Sequence, residues 1–261
     1  MQAVITTRHN KAEYLSSVLK KAGLTLQAYE GFDTDTLGSF CKTVERRDSP
    51  EACALIKAKI ACEATGSAFG IGSEGSFGGG PYSSFFNWNQ EVLCFYDTQT
   101  EQAIYAYAEG PVGLESIPFT NRKVLTEWVN RFPGQRWMLL KQENVTKGLT
   151  HNSLLKMAKS SIIKEGDMIS PDLRAMYSPT RQILLAEVAK DLQYRLQSHC
   201  PECHARDFVV KKHESGLPCG LCRTATSKVR AHISHCTMCG YQQAERLDDV
   251  ADPYYCSVCN P

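Results

Sequence analysis

An apolar run over Ala3–Thr7 predicts a short buried strand. Tyr14, Leu15, Val18 and Leu19 then recur at helical spacing behind a capping Asn10, and Gly23 ends the helix. Leu24–Tyr29 predicts a second strand. Asp48-Ser49-Pro50-Glu51 combines a cap, an early proline and a first-turn carboxylate, so it predicts a helix start. That helix continues to Ala64, with Ala54, Ala58 and Ala61 small enough for close packing, and stops at Gly66. Ala68–Gly72 predicts a third strand running into a glycine-rich loop.

Strand, helix, strand, helix, strand is the order of parallel β/α units, which bind ligands beyond the carboxyl ends of their strands. Further on, Glu91–Tyr96 and Ala103–Ala108 predict a hairpin across Asp97-Thr98-Gln99-Thr100. Leu125, Trp128, Val129 and Phe132 mark another helix, and Arg136–Lys141 another strand. Leu184, Val188 and Leu192 stripe a last helix leading to Cys200. The expected architecture is an α/β domain over residues 1–198, with a mixed, largely parallel sheet flanked by helices. A small double zinc ribbon is expected over residues 199–261.

Eight of the twelve cysteines lie between Cys200 and Cys259, in four C-x2-C knuckles: Cys200/Cys203, Cys219/Cys222, Cys236/Cys239 and Cys256/Cys259. Two thiolates separated by two residues can turn onto one tetrahedral metal, and two such knuckles close a four-cysteine site. The expected cofactor is therefore zinc, two ions per chain and structural, because four thiolates leave no vertex for water. Sequential pairing would give Cys200/Cys203/Cys219/Cys222 and Cys236/Cys239/Cys256/Cys259. It is the expected arrangement, with a strand at Phe208–Val210 and a turn at Ser215-Gly216 in the first gap. Crossed or nested pairing is also compatible with the spacing.

Composition adds little appetite for a charged partner. The formal charge is +1, and residues 199–261 carry seven Lys/Arg against seven Asp/Glu. Lys228-Val-Arg230-Ala-His232 is a small basic strip, so a nucleic-acid or protein partner for the ribbon remains a competing expectation. The start, Met1–Thr7, lacks the basic and apolar stretches of a signal peptide, and no run of eighteen apolar residues exists. A cytoplasmic location and no membrane partner are expected, in keeping with reduced thiols.

Polar residues gather where the first three strands should end. Lys11 follows the first, Asp33 and Asp35 the second, and Glu74 the third. Asp33, Asp35 and Glu74 are candidate magnesium ligands, and the glycines of Gly72–Pro81 would let backbone N–H groups approach an anion. A late cluster adds Asp172, Arg174 and Arg181, whose guanidinium groups suit phosphate or carboxylate.

At Thr7-Arg-His-Asn-Lys11, Phe32-Asp-Thr-Asp35, Gly72-Ser-Glu-Gly-Ser-Phe-Gly78, Asp172-Leu-Arg-Ala175, Pro179-Thr-Arg181 and Cys256-x-x-Cys259-Asn-Pro261 the chain resembles an uncharacterised bacterial domain family. That family joins an α/β domain to a cysteine-rich region and implies no activity. Thr7…Asn10-Lys11, Ala54-Leu-Ile-Lys57-Ala58 and Gly70-Ile-Gly-Ser-Glu74-Gly75 are more remotely similar to inosine/xanthosine triphosphate pyrophosphatases. Ala52 and Cys53 stand where that superfamily has Glu and Asn. The similarity implies a magnesium-dependent hydrolase of a nucleotide or another phosphorylated small molecule. Glu74, Lys11, Asp172 and Arg174 would then serve catalysis, with Asp33, Asp35 and Arg181 binding the metal and phosphates. The alternative is a non-enzymatic nucleic-acid- or protein-binding protein with an α/β scaffold.

Overall fold

The computed structural model describes residues 1–7, 10–33, 48–78, 87–142 and 144–261. The chain divides into two compact units, Met1–Leu192 and Gln193–Pro261.

The first unit is α/β and holds two sheets. Strands β1 (Gln2–Thr6), β2 (Thr25–Tyr29), β3 (Phe69–Phe77), β4 (Asn87–Asp97) and β5 (Ala103–Val112) lie in the order β2-β1-β3-β4-β5. Pairing of β1 with β2 and β3 is parallel, whereas β3-β4-β5 is antiparallel. The intervening helices are α1 (Lys11–Leu19) and α2 (Pro50–Thr65). Ser49 caps α2 by accepting from the Ala52 N–H, and Gly66 ends it in the left-handed region. Asn10 stands at the start of α1 but makes no side-chain cap there; its own backbone is left-handed, at φ 54°.

The segment expected to leave the sheet after Gly72 stays in it. β3 pairs with β4 from Phe69 to Phe77, so Gly72–Phe77 is strand, not loop, and Gly79–Pro81 lie outside the described residues. The glycines here serve close packing. A Cβ on Gly72 would fall 1.7 Å from the Ala54 carbonyl oxygen of α2, so only glycine lets that helix approach this strand.

The second sheet has the order β6-β9-β7-β8, from β6 (Ile117–Pro118), β7 (Trp137–Leu140), β8 (Val145–Leu149) and β9 (Met168–Pro171). With α3 (Arg122–Val129) and α4 (His151–Lys159) it encloses a core centred on Trp137, Leu139, Leu125 and Leu154. Helix α5 (Pro179–Gln197) follows.

The second unit is built on a three-stranded antiparallel sheet of β10 (Val209–Ser215), β11 (Val229–His235) and β12 (Gln242–Arg246). No helix among the described residues is long and apolar enough to cross a membrane.

Candidate functional sites

The eight cysteines form two tetrads, but not the sequential ones. Cys200, Cys203, Cys236 and Cys239 make one group, and Cys219, Cys222, Cys256 and Cys259 the other. Topology explains the interleaving. The first knuckle precedes β10 and the third follows β11; because Val209 pairs with His235, both knuckles sit at the same end of that hairpin. The second knuckle lies between β10 and β11, hence at the opposite end. β12 runs antiparallel to β11 and delivers the fourth knuckle there, where Gly220 donates to the Ala251 carbonyl and Ala251 to that of Pro218. Phe208–Val210 does lead into a strand. Its partner, however, is found beyond the second knuckle, and this overturns sequential pairing.

The knuckles repeat one geometry. The N–H groups of His204, Arg223, Gly240 and Asn260 donate to the carbonyls of Cys200, Cys219, Cys236 and Cys256. His204, Arg223 and Gly240 have positive φ, which costs glycine least. The leading cysteine of each knuckle is buried, and the trailing one is more exposed.

Sulfur separations are 3.7 Å for Cys200–Cys239, 3.5 Å for Cys203–Cys236, 3.9 Å for Cys219–Cys259 and 3.5 Å for Cys222–Cys256. A disulfide would need about 2.05 Å, whereas four sulfurs about 2.3 Å from one tetrahedral ion lie about 3.8 Å apart. The thiols also strain against one another. Hydrogen bonds from Thr224 lower the Cys222 pKa, while bonding to Cys222 and burial raise that of Cys259. Either tetrad could hold a metal ion.

The second site lies beside the neighbouring strands β1 and β3 of the first unit. Here the strand order switches sides, with β2 added on one side of β1 and β3 on the other, which is where α/β folds place ligands. Lys11 opens α1, and its ammonium lies 3.0 Å from Ser73 Oγ and 3.4 Å from the Ser73 carbonyl. Gly72 faces α2, so Ser73 faces the other side and Glu74 faces α2 again. Glu74 there meets Lys57 in a buried ion pair. On the Ser73 side, Gly75 pairs with Glu91 of β4, and Glu91 receives Arg181 from the first turn of α5 (Nε–Oε1 2.5 Å, Nη2–Oε2 3.2 Å). A Cβ on Gly75 would lie 2.4 Å from Arg181 Nη2, so glycine makes room for the guanidinium.

These charges are almost fully enclosed: Arg181 is 1% exposed, Glu91 0%, Glu74 5%, Lys57 6% and Lys11 8%. Lys57 and Arg181 each have a carboxylate partner, whereas the Lys11 ammonium meets the two Ser73 oxygens among the described residues. Burial, reinforced by Arg181 and opposed by Glu91 and Glu74, lowers the Lys11 pKa to about 7. Asn89, also enclosed, donates to Glu91 Oε1 while its own Oδ1 finds no partner among the described residues.

The expected site residues therefore divide. Lys11 and Arg181 come together on the Ser73 side of β3, whereas Glu74 lies on its α2 side, paired with Lys57. Asp172 and Arg174 pair with each other at 2.6 Å beside them, and Leu173 between them accepts from Arg181 Nη1 at 2.8 Å. Asp172 also accepts from the Gly148 N–H, and the Arg174 guanidinium lies over the Tyr177 ring, so this pair braces a loop. Asp33 is exposed, and Asp35 lies outside the described residues. Lys57 and Glu91 complete the cluster without having been assigned a role from the sequence. The clue for each was a charge inside an otherwise apolar element, among the alanines of α2 and on a buried strand.

Apart from the cysteine tetrads, no three His, Cys, Asp or Glu among the described residues already have their ligand atoms within 4.8 Å of one another. Glu74 and Glu91 are each engaged by a cation, so these two carboxylates alone do not form a magnesium site. An open cleft of about 780 Å³ beside Lys141, Asn144, Lys164 and Asp167 is lined by none of these buried charges.

No curated protein and no solved structure matches the chain. One family does, over residues 57–261, a span holding Lys57, Glu74, Glu91, Arg181 and both tetrads. The chain therefore belongs to the family described as "Domain of unknown function (DUF6671)".

Proposed function

We propose that the α/β unit binds a phosphorylated small molecule at Lys11, with hydrolysis of a nucleotide phosphoanhydride as the reaction to test, and that the second unit is a structural module holding two zinc ions. The observation that carries the first reading is the charge pairing beside β1 and β3. Among the described residues, buried Lys57 and Arg181 each have a carboxylate partner, whereas buried Lys11 has none and a pKa near neutrality. A phosphate arriving there supplies the missing negative charge and holds the Lys11 proton in place. Arg181, fixed by Glu91, adds a positive field.

Magnesium enters this reading only as the companion of the substrate's phosphates, since the described carboxylates do not build a site for it. The zinc reading rests on the closed thiolate tetrads, which suit a structural ion. It also suits a reducing compartment such as the cytoplasm. Arg230 is engaged by Glu214, and Lys228 lies over the Tyr255 ring at 3.4 Å, so the basic strip offers phosphates little that is unclaimed.

Calorimetric titration with sulfate, pyrophosphate and nucleoside triphosphates, with and without magnesium, tests the reading. Saturable binding that Lys11→Met abolishes supports it, and release of pyrophosphate or phosphate would add catalysis. Equal anion binding by wild type and Lys11→Met, or none by either, overturns it.

A further inference from the structure

The second unit carries a third cluster of ligating side chains, separate from the tetrads. On β10 and β11, His213 and His232 are directly paired, with their Nδ1 atoms 2.8 Å apart and their rings at 81°. One step further across the sheet, His232 pairs with Glu245 of β12. Residues directly opposed in adjacent strands share a face, with Cβ atoms about 4.5–5.5 Å apart. His213, His232 and Glu245 therefore form one row of two imidazoles and a carboxylate. Two register shifts in β10, at Val210/Lys212 and Glu214/Ser215, bracket His213, and the Lys212–Glu214 stretch between them is regular.

We infer that this row is a site for a divalent transition-metal ion of the zinc class, distinct from the two thiolate tetrads. Two ring nitrogens facing each other at 2.8 Å share a single proton, one donating and the other accepting. A metal ion takes that proton's place, and the donating ring moves its proton by tautomerisation from Nδ1 to Nε2. With Zn–N bonds of about 2.0–2.1 Å at a tetrahedral angle the nitrogens stand about 3.3 Å apart, an opening of about half an ångström. Exposed rings on a strand pair accommodate that by rotation about their side-chain bonds. Glu245 is exposed, so a change of rotamer can bring its carboxylate to the third position while water fills the fourth. Two imidazoles and one carboxylate with an open vertex make a site that exchanges its ion, unlike the closed tetrads.

The full chain, purified with both tetrads filled, is titrated with zinc. The expected result is one further equivalent per chain. Long-range 1H–15N spectra should show the His213 and His232 rings both becoming Nδ1-bound, with the proton on Nε2. His232→Asn is expected to lose the extra equivalent. Glu245→Gln should weaken it by at least the roughly tenfold that even indirect support of a metal site is worth. All variants should retain two tetrad ions. Failure of the wild type to take up a third ion overturns the site. So does uptake that persists unchanged in His232→Asn, or zinc-induced ring shifts confined to other histidines.

Discussion

Arg181 Nε lies 2.5 Å from Glu91 Oε1, joining the first turn of α5 to the middle of the large sheet across ninety residues, with both side chains at most 1% exposed. Such a pair contributes less to net stability than its geometry suggests, since both ions were stripped of water. What it fixes is position. Arg181 is held under Gly75 and beside Lys11, which raises the positive field felt there. Removing one partner leaves the other charged and buried. Glu91→Gln is therefore expected to cost about 3–5 kcal/mol, read as a lowered urea midpoint at constant m-value. Replacing both residues by apolar ones should cost less than Glu91→Gln alone. Equal losses in the two variants would mean the pair is packing, not electrostatics.

Lys11 gives the fold an unusual pH response. Its folded pKa of about 7 lies below the ordinary lysine value of 10.5, so between those two pH values the unfolded chain binds the extra proton. Stability contributed by this group therefore rises as pH climbs from about 7 towards 10.5, and below 7 the cost of burying the ammonium is fully present. Lys11→Met should be more stable than wild type at pH 7, with the difference shrinking by pH 9.5. Sulfate, whose own charge is constant over this range, should bind more tightly at pH 6 than at pH 8. Parallel stability curves for the two proteins would show that Lys11 titrates normally.

The contact between α2 and β3 leaves no space for a methyl group. Gly72→Ala would place Cβ 1.7 Å from a backbone oxygen, which no rotamer change can relieve. The expected loss is at least the roughly 1–3 kcal/mol typical of overpacking, seen as poor soluble yield or a large drop in melting temperature. Gly113→Ala, where a Cβ meets nothing within 4 Å, serves as the control.

Glu74→Gln separates two roles for that carboxylate. Because Glu74 is paired with buried Lys57, neutralising it should strand the lysine and destabilise the fold as well as affect any activity. Unchanged melting temperature with lost turnover would instead make Glu74 part of the chemistry alone.

Local signals explain how much could be read in advance. The α2 start was legible because Ser49, Pro50 and Glu51 each act on the backbone beside them, and Ser49 does cap the helix. The parallel pairing of β1 with β2 and β3 followed from the strand–helix alternation. By contrast, Gly72–Phe77 looked like a loop because glycine has the same sequence signature whether it frees a backbone or admits a neighbour. Only the position of α2 decides between the two. Lys11 and Arg181 were identifiable as charges at helix starts, whereas Glu74, expected just past a strand end, lies inside β3. Glu91 was marked only as a charge on a buried strand, and its partner, ninety residues away, could not be read from that.

The same limit governed the metal tetrads, and pairing yields the sharpest test. Spacing identifies knuckles but says nothing about which strands bring them together. That depends on β10 pairing with β11 across an inserted knuckle. Cys203→Ser should remove one of two bound zinc ions. Adding Cys239→Ser should remove no more, because both residues belong to one tetrad. Combining Cys203→Ser with Cys222→Ser should remove both ions, since the second substitution strikes the other tetrad. Sequential pairing predicts the reverse: Cys203/Cys222 would share an ion, and Cys203/Cys239 would not. Metal analysis of the three variants, with the zinc pool limited so that the His213/His232 row stays empty, distinguishes the two arrangements. Tetrad zinc contributes folding energy directly, so the variant lacking both ions should also lose the protection of β10–β12 amides against hydrogen exchange.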